Sequence, residues 1–221
     1  MLTHTVIPVG MLESNSYVLR DTATGALALI DCGGFTVSLR QAIDEAGGDL
    51  RFILLTHGHF DHIQGVAAAK EAYPAAQVAI GAADVGYLRG ELDTLPNRVP
   101  RQKHPAEPDL QLHGGEEITL GNTVLRVLAT PGHTPGGVCF YTTIREHSEA
   151  TEPHRRWLYT GDTLFREEVG RADLPGGCWD TLQATIRGLY ATIEGDCAVL
   201  PGHGPASTLN HERLHNAWVR A

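Results

Sequence analysis

The 221-residue sequence has no excess of basic charge: 17 Lys and Arg stand against 26 Asp and Glu, a formal net charge of -9. Phosphate binding needs a basic face, so this balance speaks against a nucleic-acid partner. No apolar run reaches the length of a membrane span, so no membrane partner is expected. The opening MLTHTVIPVG has neither the basic start nor the continuous apolar stretch of a signal peptide. Cysteines are few and scattered: Cys32, Cys139, Cys178 and Cys197 form no C-x-x-C pair. A cysteine zinc site is therefore not expected, and free, mostly buried thiols in a cytoplasmic protein are. No repeat or low-complexity linker divides the chain. A 42% hydrophobic share and this length predict one core and a single domain over residues 1–221.

What is present is a series of short apolar strands, each followed by a turn. TVIPVG (5–10), SYVLRD (16–21), ALALID (26–31), RFILLT (51–56), QVAIG (77–81), GGVCFYTT (136–143), WLYTGD (157–162) and CAVLPG (197–202) read as strands. EEITLGNTVLRVLAT (116–130) reads as a hairpin turning at Gly121-Asn122. Helical spacing marks 36–46, 65–73, 82–90, 179–193 and 210–219. Residues 90–109 and 144–156 read as loops. Strands come in groups with helices between the groups, which predicts packed sheets with helices outside, a layered α/β class.

The turns carry the chemistry. LLT leads to His57, His59, Asp61 and His62; VLAT leads to His133 in PGHTPGG; WLYT leads to Asp162; AVL leads to His203 in PGHGP. If those four strand ends share one edge, seven ligand-type side chains converge. Imidazole and carboxylate are preferred ligands of zinc and similar divalent ions. In an extended turn alternate side chains share a side, so His57 and His59 can grip one ion, while His62 breaks the alternation toward a second. A carboxylate such as Asp162 has two oxygens with which to bridge both. Two ions about 3.5–4 Å apart can share a hydroxide, activate it at neutral pH and polarise the carbonyl it attacks. Taken singly, His57 and His59 are a chance surface pair, Asp61 a helix cap and PGH a turn; the ordered set of seven is what points to metal. His4, His104, His113, His147, His154, His211 and His215 lack such settings and are expected to be exposed or ordinarily hydrogen-bonded.

THGHFDH, PGHTPGG, GDTLF and PGHG together resemble the metallo-β-lactamase fold superfamily, and within it the small bacterial glyoxalase II-like (hydroxyacylglutathione hydrolase-like) branch. The resemblance runs from SNSYVL to NHERLHNAW. It implies a four-layer αββα sandwich with two divalent ions at one edge, zinc first, iron or manganese next. Carried over by motif, His57, His59 and His133 would hold the first ion, Asp61, His62 and His203 the second, and Asp162 would bridge. Asp61 and Asp162 would be the catalytic carboxylates. Asp31, in LIDCGG, matches a family aspartate placed behind the metals, where it would orient a ligand histidine.

GDTLFREEVGRADLPGGCWDTL resembles the small branch more than the long glyoxalase II enzymes. The long enzymes add a C-terminal helical region, whereas residues 204–221 are all that follow His203 here. Those enzymes also use a lysine and a tyrosine near the place of Arg171 and Asp173, so glutathione as thiol carrier is not implied. Arg171 is a candidate for a substrate carboxylate; the alternative is an Arg171–Asp173 contact that shapes the loop. The loops 90–109 and 164–178 are expected to border the metals. The leading expectation is hydrolysis of a small-molecule thioester, such as a 2-hydroxyacyl thioester of a small thiol, through the shared hydroxide. The alternative is a mononuclear iron persulfide dioxygenase, a family that resembles this one, carries a similar GR-x-D stretch and would use only His57, His133 and Asp162. Lactone or ester hydrolysis is a further one. A bridging Asp162 is not the usual lactamase pattern, and the acidic composition argues against a nuclease. A metal-stabilised binding module is the non-enzyme alternative.

Overall fold

The computed structural model describes residues 1–92, 106–143 and 156–220. Strands β1 (Leu2–Val9), β2 (Ser14–Asp21), β3 (Ala26–Ile30), β4 (Asp49–Leu54), β5 (Gln77–Gly81) and β6 (Leu110–Leu112) form one sheet in sequential order. The β1/β2 and β2/β3 pairs are antiparallel and the remaining pairs parallel. The second sheet contains β7 (Glu117–Leu120), β8 (Thr123–Ala129), β9 (Val138–Thr143), β10 (Trp157–Gly161), β11 (Ala198–Pro201) and β12 (Ser207–Thr208), also in sequential order. There only β10/β11 is parallel.

Strand alternation sets the layers. In β3, Ala26, Ala28 and Ile30 enter the core between the sheets, where they join Leu54, Leu125, Phe140 and Tyr159. Leu27 and Leu29 point the other way, into a core shared with helices α1 (Val37–Ala46) and α3 (Val66–Ala72). With both faces covered, all five residues of β3 are buried, as a strand inside a layered α/β fold requires. The second sheet has its own outer core, in which Leu158, Cys139 and Val199 pack against Leu182, Ile186 and Leu189 of α5 (Trp179–Thr192) and Leu209 of α6 (Leu209–His215). Helices, sheet, sheet and helices make the αββα sandwich that the motifs imply.

Most expected elements are present with shifted ends. β1 begins at Leu2 rather than Thr5 and contains Pro8; an edge strand tolerates a proline because one of its sides needs no ladder donor. The hairpin turns at Gly121-Asn122 as read. The helix expected over 210–219 stops at His215, where Asn216 turns extended and its side-chain oxygen accepts from the amides of Trp218 and Val219. Residues 82–90 split into a 3-10 turn, Ala82–Asp84, and the short α4 (Val85–Leu88). β6 lies just past the expected 90–109 loop, of which 93–105 fall outside the described residues, as do 144–155 of the other loop. His104, His147 and His154 lie in those segments. Cys32, Cys139 and Cys197 are buried and free, and Cys178 is exposed. Among the described residues no helix is long and apolar enough to cross a membrane.

Candidate metal centre

Four strand ends open onto one edge of the sandwich. β4 ends at Leu54, and after a bend at Thr56 the chain is extended at His59 before α2 (Phe60–Ile63) begins. That change from extended to helical backbone brings His57 and His59 to one side and Asp61 and His62 to another. β8, β10 and β11 deliver His133, Asp162 and His203 within a few residues of their ends. Three overlapping groups result, each with donor atoms within 4.8 Å of one another: His57, His59 and His133; His57, His62 and Asp162; Asp61, His62 and His203. All seven sequence candidates for metal ligation therefore lie together.

Four of the five histidines are held from behind through Nδ1. His57 Nδ1 lies 3.0 Å from Thr56 Oγ1, whose own proton goes to Asp31 Oδ2. His62 Nδ1 donates to Asp31 Oδ2 at 2.9 Å, His133 Nδ1 to the Arg171 carbonyl at 2.6 Å and His203 Nδ1 to the Leu12 carbonyl at 3.1 Å. A proton fixed on Nδ1 leaves the Nε2 lone pair for the centre. Asp31 thus sits behind His62, in a left-handed backbone (φ 56) that aspartate tolerates. Its other oxygen accepts from the Thr56 amide.

The interior atoms fall into two kinds. Nε2 of His57, His59 and His133 are buried with no hydrogen-bond partner among the described residues, and the buried Oδ1 of Asp162 has only an ion-pair contact, 3.3 Å from His62 Nε2. His62 Nε2 and His203 Nε2 instead lie 3.3 Å apart, and His203 Nε2 is 3.1 Å from Asp61 Oδ2. Electrostatics follow. Burial, with the neighbouring imidazoles, pushes His57 well below the usual histidine range; burial and His133 take His59 to about 3. Burial also acts to lower His62, but Asp162 and Asp31 override it and hold it well above the usual range. His203 is raised as well, because Asp61 and Asp162 outweigh its burial. Asp61 and Asp162 are held low by the histidines around them, against burial. An ion fits this donor set: five imidazoles and two anionic carboxylates converge, with unpaired atoms that native interiors rarely leave.

Arg171 faces the site only through its carbonyl. Its guanidinium forms two 2.9 Å hydrogen bonds to Asp173, and both side chains are exposed.

Several site-building residues escape motif reading. Asn15 of β2 donates to the carbonyls of Pro201 and Gly204, on either side of His203, at 3.0 Å each. Tyr17 reaches the Pro201 carbonyl at 2.7 Å, and Ser14 donates to the Asp61 carbonyl. Asp84 is fully buried and accepts from the Gly58 amide, the Thr134 hydroxyl and the Gly136 amide. Its one sequence signal is an acid that follows a buried strand with only two alanines between.

Comparison with known proteins agrees with this architecture. The family model for the metallo-beta-lactamase superfamily matches residues 9–203. The hydroxyacylglutathione hydrolase GloC of Haemophilus influenzae is 29% identical over 98% of this chain and 97% of its own. Among solved structures, BLEG-1, described as a B3 metallo-beta-lactamase, superposes with a TM-score of 0.82 at 30% identity over 100% of both chains. TTHA1623, crystallised in a di-iron-bound form, gives 0.75 at 31% identity over 97% of this chain and 100% of its own.

Proposed function

The chain belongs to the metallo-beta-lactamase superfamily, and from that premise we propose that it is a dinuclear metal-dependent hydrolase cleaving a thioester of a 2-hydroxy acid and a small thiol. The observation that carries the reading is the trio of buried unpaired Nε2 atoms of His57, His59 and His133, gathered beside Asp162, whose Oδ1 is 3.3 Å from His62 Nε2. His57, His59 and His133 would hold one ion, Asp61, His62 and His203 the other, with Asp162 between. Zinc is the first assignment, since imidazole and carboxylate donors without thiolate suit it; iron and manganese suit the same donors. The similarity to a protein that takes up two irons supports loading all three in the assay.

When bound, such a pair supplies a water activated for attack at neutral pH and a Lewis acid for the carbonyl oxygen. The chain's own work is orientation and charge. Thr56, Asp31 and the Arg171 and Leu12 carbonyls fix the imidazole tautomers. Asp61 and Asp162, held anionic by the surrounding histidines, orient the attacking water by accepting its hydrogen bonds. The C–O bond forms, the C–S bond breaks, and the water's proton goes to solvent or the departing sulfur. A thiolate, with an ordinary pKa of about 8.5, leaves without a strong general acid. The similarity to the Haemophilus hydroxyacylglutathione hydrolase supports the thioester class.

The rival reading, an iron dioxygenase acting on a persulfide, needs only His57, His133 and Asp162; the convergence of Asp61, His62 and His203 favours the hydrolase. The test is elemental analysis of protein purified without added metal, with thioester hydrolysis, lactone, ester and β-lactam substrates, and oxygen uptake on a persulfide run side by side. About two ions per chain with thioester cleavage is the expected result. One iron with oxygen uptake overturns it in favour of the dioxygenase.

A further inference from the structure

Two buried carboxylates stand behind the seven converging side chains without belonging to them. Asp31 serves chiefly the His62 side, bonding His62 directly and reaching His57 only through Thr56. Asp84, at the end of the 3-10 turn after β5, serves the other. Its Oδ2 accepts from the Gly58 amide at 2.8 Å and the Thr134 hydroxyl at 2.7 Å, and its Oδ1 from the Gly136 amide at 2.7 Å. Gly58 is the one residue between His57 and His59, and Thr134 directly follows His133. A single carboxylate therefore clamps the two turns that carry the imidazoles of one triad, although those turns lie in different sheets.

The surroundings are built for that close approach. A Cβ at Gly136 would lie 2.5 Å from the Asp84 nitrogen, and one at Gly58 would run into the Tyr87 ring. Asp84 itself has no solvent exposure, so its three donors are the partners that compensate its burial.

We propose that Asp84 is a positioning residue selective for one of the two metal sites, setting the spacing between the His57–His59 pair and His133, while Ser14, Asp31 and the Leu12 carbonyl hold Asp61, His62 and His203. This rests on the dinuclear reading above. Asp84 touches neither substrate nor donor atoms; it acts through the backbone on which the imidazoles sit. The same carboxylate couples the two sheets at the site, so the triad's geometry does not depend on sheet packing alone.

The test is a titration of the full chain, stripped with chelator, using zinc in calorimetry and cobalt(II) in absorption. Wild type should take up two ions. Asp84→Asn, which puts an amide where three donors converge, should weaken one step by about 10–100-fold, the scale of outer-shell losses, and leave the other unchanged. Site identity comes from pairing the change with a second one. Added to His203→Ala, Asp84→Asn should weaken the remaining step by the same factor of about 10–100; added to His133→Ala, it should change nothing further. Thr134→Val, which withdraws one donor and keeps the carboxylate, should give a smaller loss at the same step and serves if Asp84→Asn does not fold. Two unchanged steps in Asp84→Asn, or in Thr134→Val where only that variant folds, overturn the inference, as does equal weakening of both. Fewer than two ions in wild type would instead sink the dinuclear reading and this inference with it.

Discussion

The imidazoles of His57, His59 and His133 crowd together with buried, unpaired Nε2 atoms, whereas Asp61, His62 and His203 lean on one another through contacts of 3.1–3.5 Å. Both triads are assembled at the same edge, and both include His or Asp from the turn after β4. They differ in what they can do without an ion. The second triad contains its own carboxylate and lies beside two more, Asp31 and Asp162. Protons can therefore stand in for metal there, with the histidines carrying them. The first triad has no carboxylate of its own, and the neighbouring imidazoles and burial drive protons off His57 and His59. Among the described residues its nearest ionic partner is Asp162, whose Oδ2 lies 3.6 Å from His133 Nε2, and the Nε2 atoms of His57 and His59 have no hydrogen-bond partner.

Asp162 lies beside both halves, 3.3 Å from His62 and 3.6 Å from His133, so its loss should erase the contrast altogether. Asp162→Ala is expected to lose metal and activity together, with kcat/KM down on the order of 1,000-fold, the scale of losing a group that stabilises transition-state charge. Two retained ions and full turnover would refute the shared-ligand assignment. Stripping the metal from the intact chain comes next. An ion held at 100 times its Kd contributes about 2.7 kcal/mol, or about 5–10 °C in Tm for a chain of this size. Differential scanning calorimetry before and after chelation measures it, and an unchanged Tm would mean that the unpaired atoms have another partner.

The pH dependence separates the halves. His62 and His203 have raised folded pKa values. The stability they contribute is fully present below the unfolded value of about 6.5 and is lost as pH rises through the folded values. His57 and His59 are lowered, so their effect is opposite: stability is lost as pH falls from about 6.5 toward the folded value, about 3 for His59. The stripped protein should be most stable near pH 6.5 and lose a few degrees of Tm by pH 9, while the loaded protein, its protons displaced, should not. Calorimetry in two buffers of different ionisation enthalpy adds a finer reading at pH 7: filling the Asp61–His62–His203 site should release protons and filling the other should not. Equal proton release at both sites would contradict the charges assigned here.

The same contrast explains what the sequence made readable. Ligand-type residues announce themselves when they crowd one turn, and HGHFDH puts four within six positions. The strand runs, the layered class and the order of turns follow from apolar spacing of two against 3.6. The supports are harder to read because they act across the chain. Asn15 holds a turn 186 residues away, and Asp84 gathers Gly58 and Gly136 across separations of 26 and 52. Nothing local distinguishes Asp84 from a helix-starting acid. Tertiary pairing alone gives it a role, just as it ends the last helix at Asn216 several residues before its apolar pattern does.

Arg171 gives the smallest expected effect and draws the finest line between a residue's backbone and its side chain. Its carbonyl accepts from His133 Nδ1, while its guanidinium is spent on Asp173 in solvent. Arg171→Ala keeps the carbonyl and removes only the exposed pair, so kcat and KM for the thioester should stay within about twofold, as for ordinary surface substitutions. The loop is held elsewhere, by buried Glu212, which accepts from the Glu167 amide and the Asn216 side chain. Glu212→Ala would strand those donors at about 1–3 kcal/mol and should disturb His133 more than Arg171→Ala, although it lies farther along the chain. A tenfold rise in KM for Arg171→Ala with kcat unchanged would reverse the ranking. The guanidinium would then leave Asp173 for an anionic substrate group, and the loop's side chains would join its backbone as part of the site.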